Sequence, residues 1–170
     1  MPDLRSIESR LYKRRRRQFP ALPSTRGATE ITDGLRQTEQ GEELLIHSSE
    51  ENIMLIFCSP ISLRILSEAD TLTMDGTFDC VPLLNTHLFT IHAFKDEQLL
   101  PLVYCLTSSK DRSTYKEIFR VLKSKCQQQQ LILDPSVIIS DCESDFISAV
   151  RDEFLNVQHQ GCYFHFTQAV

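Results

Sequence analysis

No stretch of this sequence approaches the roughly 20 consecutive apolar residues that a membrane-spanning helix needs. Its N-terminus is basic and lacks the apolar core of a secretory signal. Six cysteines, at positions 58, 80, 105, 126, 142 and 162, form no C-x-x-C pair and no regular spacing, which argues against a disulfide framework. Cys58, Cys80 and Cys105 lie in or beside apolar stretches, where a free thiol behaves as a small hydrophobe. No internal repeat is visible, and the four glutamines at 127–130 are too few for a low-complexity tract. These absences point to a globular chain with reduced thiols and no membrane partner, in the cytosol or nucleus.

Within 170 residues, 41% hydrophobic and 24% charged, there is material for one domain with a proper core. The net charge of −5 conceals an asymmetry. Residues 1–26 hold eight basic and two acidic side chains, a formal +6, leaving −11 for the remainder. Lys13, Arg14, Arg15, Arg16 and Arg17 form the densest run. Such an arm can bind phosphates with counterion release, can read as a nuclear-localisation signal, or can be a solvated charge run. Residues 1–42 are expected to be this arm and a polar linker.

Hydrophobic periodicity divides the rest. "ELLIH" and "NIMLIFCS" suggest two short strands, and "SPISLRILSEA" a helix beginning near Pro60. Three β-rich segments follow, "TLTMDGTF", "THLFTIHAF" and "LLPLVYCLT", the last two joined by a turn at "KDEQ". Tyr115, Ile118, Phe119 and Leu122 trace one face of a helix over 111–127. "PSVIISD" reads as a buried strand ending at Asp141. Phe146, Ile147, Val150 and Phe154 mark another helix, and "VQHQGCYF" contains a last short strand. Three hairpin-joined strands followed by alternating helices and strands predict an α/β fold, a mixed sheet covered by helices.

Asp75 and Asp141 fall at or beside the carboxyl ends of two predicted strands, where ligands gather in such sheets. Adjacent strands would bring both carboxylates to one patch. Oxygen ligands of this kind suit Mg²⁺ or Mn²⁺. Each aspartate has a plainer reading: Asp75-Gly76 as a turn, Asp141 as the cap of the following helix. Asp79 alternates toward solvent, while Glu143 and Asp145 read as acids complementing a helix start. His87 and His92 lie on opposite faces of one strand and share no ligand. Cys162 and His165 make a C-x-x-H pair, but zinc needs four ligands, so packing or hydrogen bonding is the stronger reading and zinc is not expected.

"MDGTF", "LLPLVYCLTSSKDRSTYKEIF", "VIISDCESDFISAV" and "GCYFHFTQAV", in that order, resemble the transposase domain of Mutator-like elements, the MULE family. The resemblance is densest over 71–170, within an expected partial domain at 43–170. It extends more loosely to "YKRRRRQFPALP" and to residues 53–78. It implies an RNase H-like core and a DDE-type site, in which three acids bind two Mg²⁺ or Mn²⁺ ions. Asp75 and Asp141 match the first two acids, and Cys162 and His165 the family's C-x-x-H pair. The third acid, a glutamate on a later helix, has no position before Val170, so the chain is expected to be a C-terminally incomplete fragment, inactive alone. The upstream zinc-finger pattern of many relatives is missing too. By resemblance the partners are transposon ends and target DNA, in the nucleus, and the reaction is DNA strand cleavage and transfer. A non-enzymatic, element-derived nuclear DNA-binding protein is the alternative. The oligomeric state, a homo-oligomer among the options, is not set by the sequence.

Overall fold

The computed structural model describes residues 31, 33–49, 54–77, 87–141, 143–163 and 167. Four helices are described: α1 (Asp33–Arg36), α2 (Pro60–Glu68), α3 (Arg112–Gln128) and α4 (Ser144–Glu153). Seven strands form one sheet: β1 (Leu45–Ser49), β2 (Met54–Phe57), β3 (Thr71–Thr77), β4 (His87–Lys95), β5 (Gln98–Thr107), β6 (Val137–Ser140) and β7 (Gln158–Gly161). Their spatial order is β1-β2-β5-β4-β3-β6-β7. The pairs from β1 through β3 are antiparallel, whereas β3–β6 and β6–β7 are parallel. This is the mixed α/β sheet expected, with α3 and α4 serving as connections to the parallel strands.

Local chemistry accounts for the boundaries. Ser59 caps α2 by accepting the Ser62 N–H, and Pro60 occupies the first helical turn, where its missing N–H costs nothing. Asp111 caps α3 by accepting the Thr114 N–H at 2.9 Å. Between β4 and β5, Asp96 and Glu97 adopt φ of 50° and 64°, and Lys95 pairs with Gln98. That is a two-residue type I′ turn, whose twist matches the flanking strands. Pro101 sits in β5 beside a bulge, where the ladder shifts between Ile91 and His92, so its absent donor is tolerated.

Strand alternation separates two faces. Leu72 and Met74 of β3, Ile91 and Ala93 of β4, Val103 and Cys105 of β5 and Ile138 of β6 are buried on one face. Leu63 and Leu66 of α2, Tyr115, Ile118, Phe119 and Leu122 of α3, and Phe146 and Val150 of α4 complete the same cluster. Each large apolar side chain removed from water contributes about 1.5–3 kcal/mol. Phe146 anchors the ring packing, with centroids 5.3 Å from Tyr115 and 6.0 Å from Phe119. Cys58 and Cys105 are buried as expected of small hydrophobes, while Cys80 lies outside the described residues; burial, with Cys126 nearby, pushes the Cys58 thiol up to about 12. On the other face, Thr71, Thr73 and Asp75 are only half-buried.

An ion-pair seam joins the helices: Arg112 and Lys116 both contact Asp152, at 2.7 and 2.8 Å, and Arg120 contacts Glu153 at 2.8 Å. These partly exposed pairs orient α4 against α3, while the rings beneath supply most of the stabilisation.

Candidate functional site

Asp75 lies inside β3, with Gly76 and Thr77 continuing the strand. It pairs with Thr90 of β4, whose hydroxyl donates to the Asp75 carbonyl at 3.3 Å. Neither Asp75 nor Gly76 is therefore a turn residue, and the chain does not leave the sheet at Gly76. Asp141 is the first residue after β6.

The β3–β6 ladder pairs Thr71 with Val137, Leu72 with Ile138 and Thr73 with Ile139. The offset throughout is 66, and 141 − 75 is also 66. The last pair of this ladder is Thr73–Ile139; carried two positions further, the same register would set Asp141 level with Asp75. Asp141 thus follows the carboxyl end of β6, beside the strand in which Asp75 lies.

Both aspartates line one cleft, together with Gly76, His87, Lys110, Tyr115 and Glu143. Its lining comes from β3, β4, the end of β5 and the β5–α3 connection, α3, the end of β6 with the β6–α4 connection, and α4. Gly76 shapes it by omission, since a Cβ built there would meet no atom within 4 Å.

Asp141 does not cap α4. The cap position belongs to Glu143, and no side-chain hydrogen bond is made there to the helix backbone. Glu143 instead turns into the cleft, where it accepts from the Tyr115 hydroxyl at 3.1 Å. Lys110 Nζ lies 3.2 Å from its other oxygen. Burial first, and then the Glu143 charge, hold the Tyr115 phenol far above its ordinary range, so it remains a donor. Asp145, by contrast, does stand in the first turn of α4 as expected.

Behind Asp141, the Ser140 hydroxyl donates to the Asp141 carbonyl at 2.8 Å and lies 2.8 Å from His159 Nε2. Since the hydroxyl proton is used, the imidazole is the donor in the second contact. His87 and His159 are both held below the ordinary imidazole range, chiefly by burial. Lys110 adds to the effect at His87 and Arg151 at His159, against the opposing charges of Glu143 and Asp141.

Cys162 is half-buried just past β7, where its N–H donates to the Ser140 carbonyl at 2.6 Å. His165, its C-x-x-H partner, lies outside the described residues, as do Asp79 and the basic run Lys13, Arg14, Arg15, Arg16 and Arg17. Sequence reasoning missed Glu143, Tyr115 and Lys110 as cleft residues. The acid at a helix start and the tyrosine on an apolar stripe both looked fully explained by local structure.

Among the described residues, no three His, Cys, Asp or Glu side chains gather into a group that could hold a metal ion unaided. The donor chemistry of the Asp75–Asp141 pair nevertheless fits a hard divalent cation, because carboxylate oxygens at one edge leave most of the coordination shell to water and substrate. One carboxylate inside β3 and one just past β6 thus line a single cleft of a mixed α/β sheet.

The model of the MULE transposase domain matches residues 71–169, more than half of the chain. The chain belongs to that family. Among curated proteins there is no match. Among solved structures, a chain of the Drosophila P element transposase strand transfer complex is similar, at 14% identity and a TM-score of 0.29. That likeness covers 56% of this chain and 25% of the other, so the chain spans about a quarter of the transposase it is compared with.

Proposed function

We propose that the chain carries part of a DDE-type catalytic site for DNA strand cleavage and transfer, with Asp75 and Asp141 as ligands of Mg²⁺ or Mn²⁺. The observation that carries this reading is that Asp75 in β3 and Asp141 just past the neighbouring parallel β6 line one cleft, within a member of the MULE family. When bound, such an ion lowers the cost of generating a nucleophile and offsets charge on a phosphodiester. The protein's own part is positional. The β3–β6 pairing brings two carboxylates to one cleft, where a shared cation would offset their charge. Gly76 leaves room beside Asp75, and Lys110 adds a positive charge at the rim of the same cleft. The DNA substrate would be transposon ends and target DNA, and the working compartment the nucleus.

The test is Mn²⁺-dependent nicking of terminal-repeat DNA by a protein containing residues 1–170. Asp75→Asn and Asp141→Asn should each abolish it, while activity retained in both would refute the assigned roles.

A second reading, an element-derived DNA-binding protein without catalysis, is favoured by the +6 charge of residues 1–26. It requires DNA affinity that falls steeply with salt and collapses when Arg14, Arg15, Arg16 and Arg17 are neutralised. Affinity indifferent to that replacement counts against it.

A further inference from the structure

The segment that joins β6 to α4 is tied down on both sides of Asp141, and only one tie is part of the sheet. On the strand side, the Ser140 carbonyl accepts from the Cys162 N–H, and the Ser140 hydroxyl holds the Asp141 carbonyl. On the helix side, Glu143 forgoes the capping bond its position offers. Its carboxylate crosses to α3 and the β5–α3 connection, where Tyr115 donates to one oxygen and Lys110 pairs with the other. The Glu143 side chain is 21% exposed and its hydrogen bond with Tyr115 is part-buried, while its other partner Lys110 is half exposed. Tyr115 is itself fixed by edge-on packing against Phe89 of β4, 5.3 Å between centroids, and is 6% exposed.

We infer that Glu143 is a positioning residue for Asp141, holding the β6–α4 connection to the rigid α3 through the Tyr115 hydroxyl. The inference rests on the reading of Asp141 as a metal ligand. A carboxylate on a connection rather than a strand is free to swing unless both flanks are fixed. Orientation by such outer partners is worth about 10–100-fold in metal affinity. Lys110 completes the arrangement by offsetting the Glu143 charge, which would otherwise repel the anionic DNA the cleft is proposed to admit.

The experiment uses the full chain with Mn²⁺ as probe: dissociation constants by electron paramagnetic resonance, Fe²⁺-directed hydroxyl-radical cleavage of the polypeptide near 75 and 141, and Tm for each variant. Tyr115→Phe removes one hydroxyl and keeps the ring, and should weaken Mn²⁺ binding about tenfold. Glu143→Ala should weaken it by as much or more, and Glu143→Gln should recover most of the loss, because an amide oxygen still accepts from the phenol. Glu143→Gln as weak as Glu143→Ala, with Tyr115→Phe unchanged, makes Glu143 a direct ligand and overturns the inference. Lowered Tm with Mn²⁺ affinity unchanged in all three reduces the contact to a fold support and also overturns it. Asp141→Asn is the separate control: Mn²⁺ binding and cleavage indifferent to it refute the ligand reading beneath.

Discussion

His159 Nε2 and Ser140 Oγ stand 2.8 Å apart, joining β7 to β6 at the residue before Asp141. Ser140 is 2% exposed, so neither water nor another side chain can readily replace its hydroxyl. Ser140→Ala leaves the imidazole donor and the Asp141 carbonyl each short of a partner. Leaving buried polar groups unmatched costs about 1–3 kcal/mol. Urea unfolding should show that loss with an unchanged slope, whereas Ser140→Thr, which keeps the hydroxyl, should lose less.

The same histidine predicts a pH dependence. His159 is held below the ordinary imidazole range, so the unfolded chain binds its proton more readily than the folded one. Stability from this group is complete above the unfolded value of about 6.5 and is lost as pH falls through the lowered folded value. His87 contributes with the same sign. Tm should therefore begin to decline as pH falls below about 6.5, the ordinary imidazole value. His159→Gln, which can still donate to Ser140, should flatten the decline.

Asp111 anchors the start of α3, the longest of the described helices. Its carboxylate accepts from the Thr114 N–H at 2.9 Å, from Ser113 Oγ at 2.5 Å and from Ser109 Oγ at 2.6 Å. Hydrogen bonds from those two serines, before any other cause, hold it well below the usual carboxylate range. That stabilisation is present above the ordinary aspartate pKa and disappears as pH falls through the depressed one. Asp111→Ala should cost about 1 kcal/mol and Asp111→Asn much less, since asparagine caps nearly as well. Thermal unfolding at neutral pH distinguishes them.

At Gly76 stability and function should move apart. Glycine inside a strand costs about 0.5–1 kcal/mol relative to alanine, and nothing within 4 Å obstructs a Cβ there. Gly76→Ala should leave Tm equal or higher. Gly76→Leu should also fold, yet fill the cleft beside Asp75 and suppress Mn²⁺-dependent nicking of DNA. Full nicking by the leucine variant would mean that substrate does not pass over Gly76.

Much of the architecture was legible because it is written in local periodicity. Tyr115, Ile118, Phe119 and Leu122 announced the buried face of α3, and all four are buried. The turn at Asp96 and Glu97 was visible between two alternating segments. Asp75 and Asp141 were recognisable as edge carboxylates because each follows a β-branched or apolar run. Their two plain readings, turn and cap, failed on structural grounds: β3 continues to Thr77, and the cap of α4 is Glu143. What stayed hidden depends on partners far away in sequence. The Tyr115–Glu143 bond spans 28 positions and the Ser140–His159 contact 19, and neither residue's neighbours hint at the other.

The β3–β6 register has a further meaning for how this family's chains can change. Because Thr71–Thr73 against Val137–Ile139 is what sets the two aspartates level, the number of residues between them is free. Loops between the two strands could lengthen or shorten without disturbing the pair, whereas β4, β5 and α3 are held by the sheet and its core. A slip of one residue in the three-rung ladder would instead send one carboxylate to the opposite face. Spacing between the acids is thus a poor guide to relatives, and the short runs "TLTMD" and "VIISD" are the better signature.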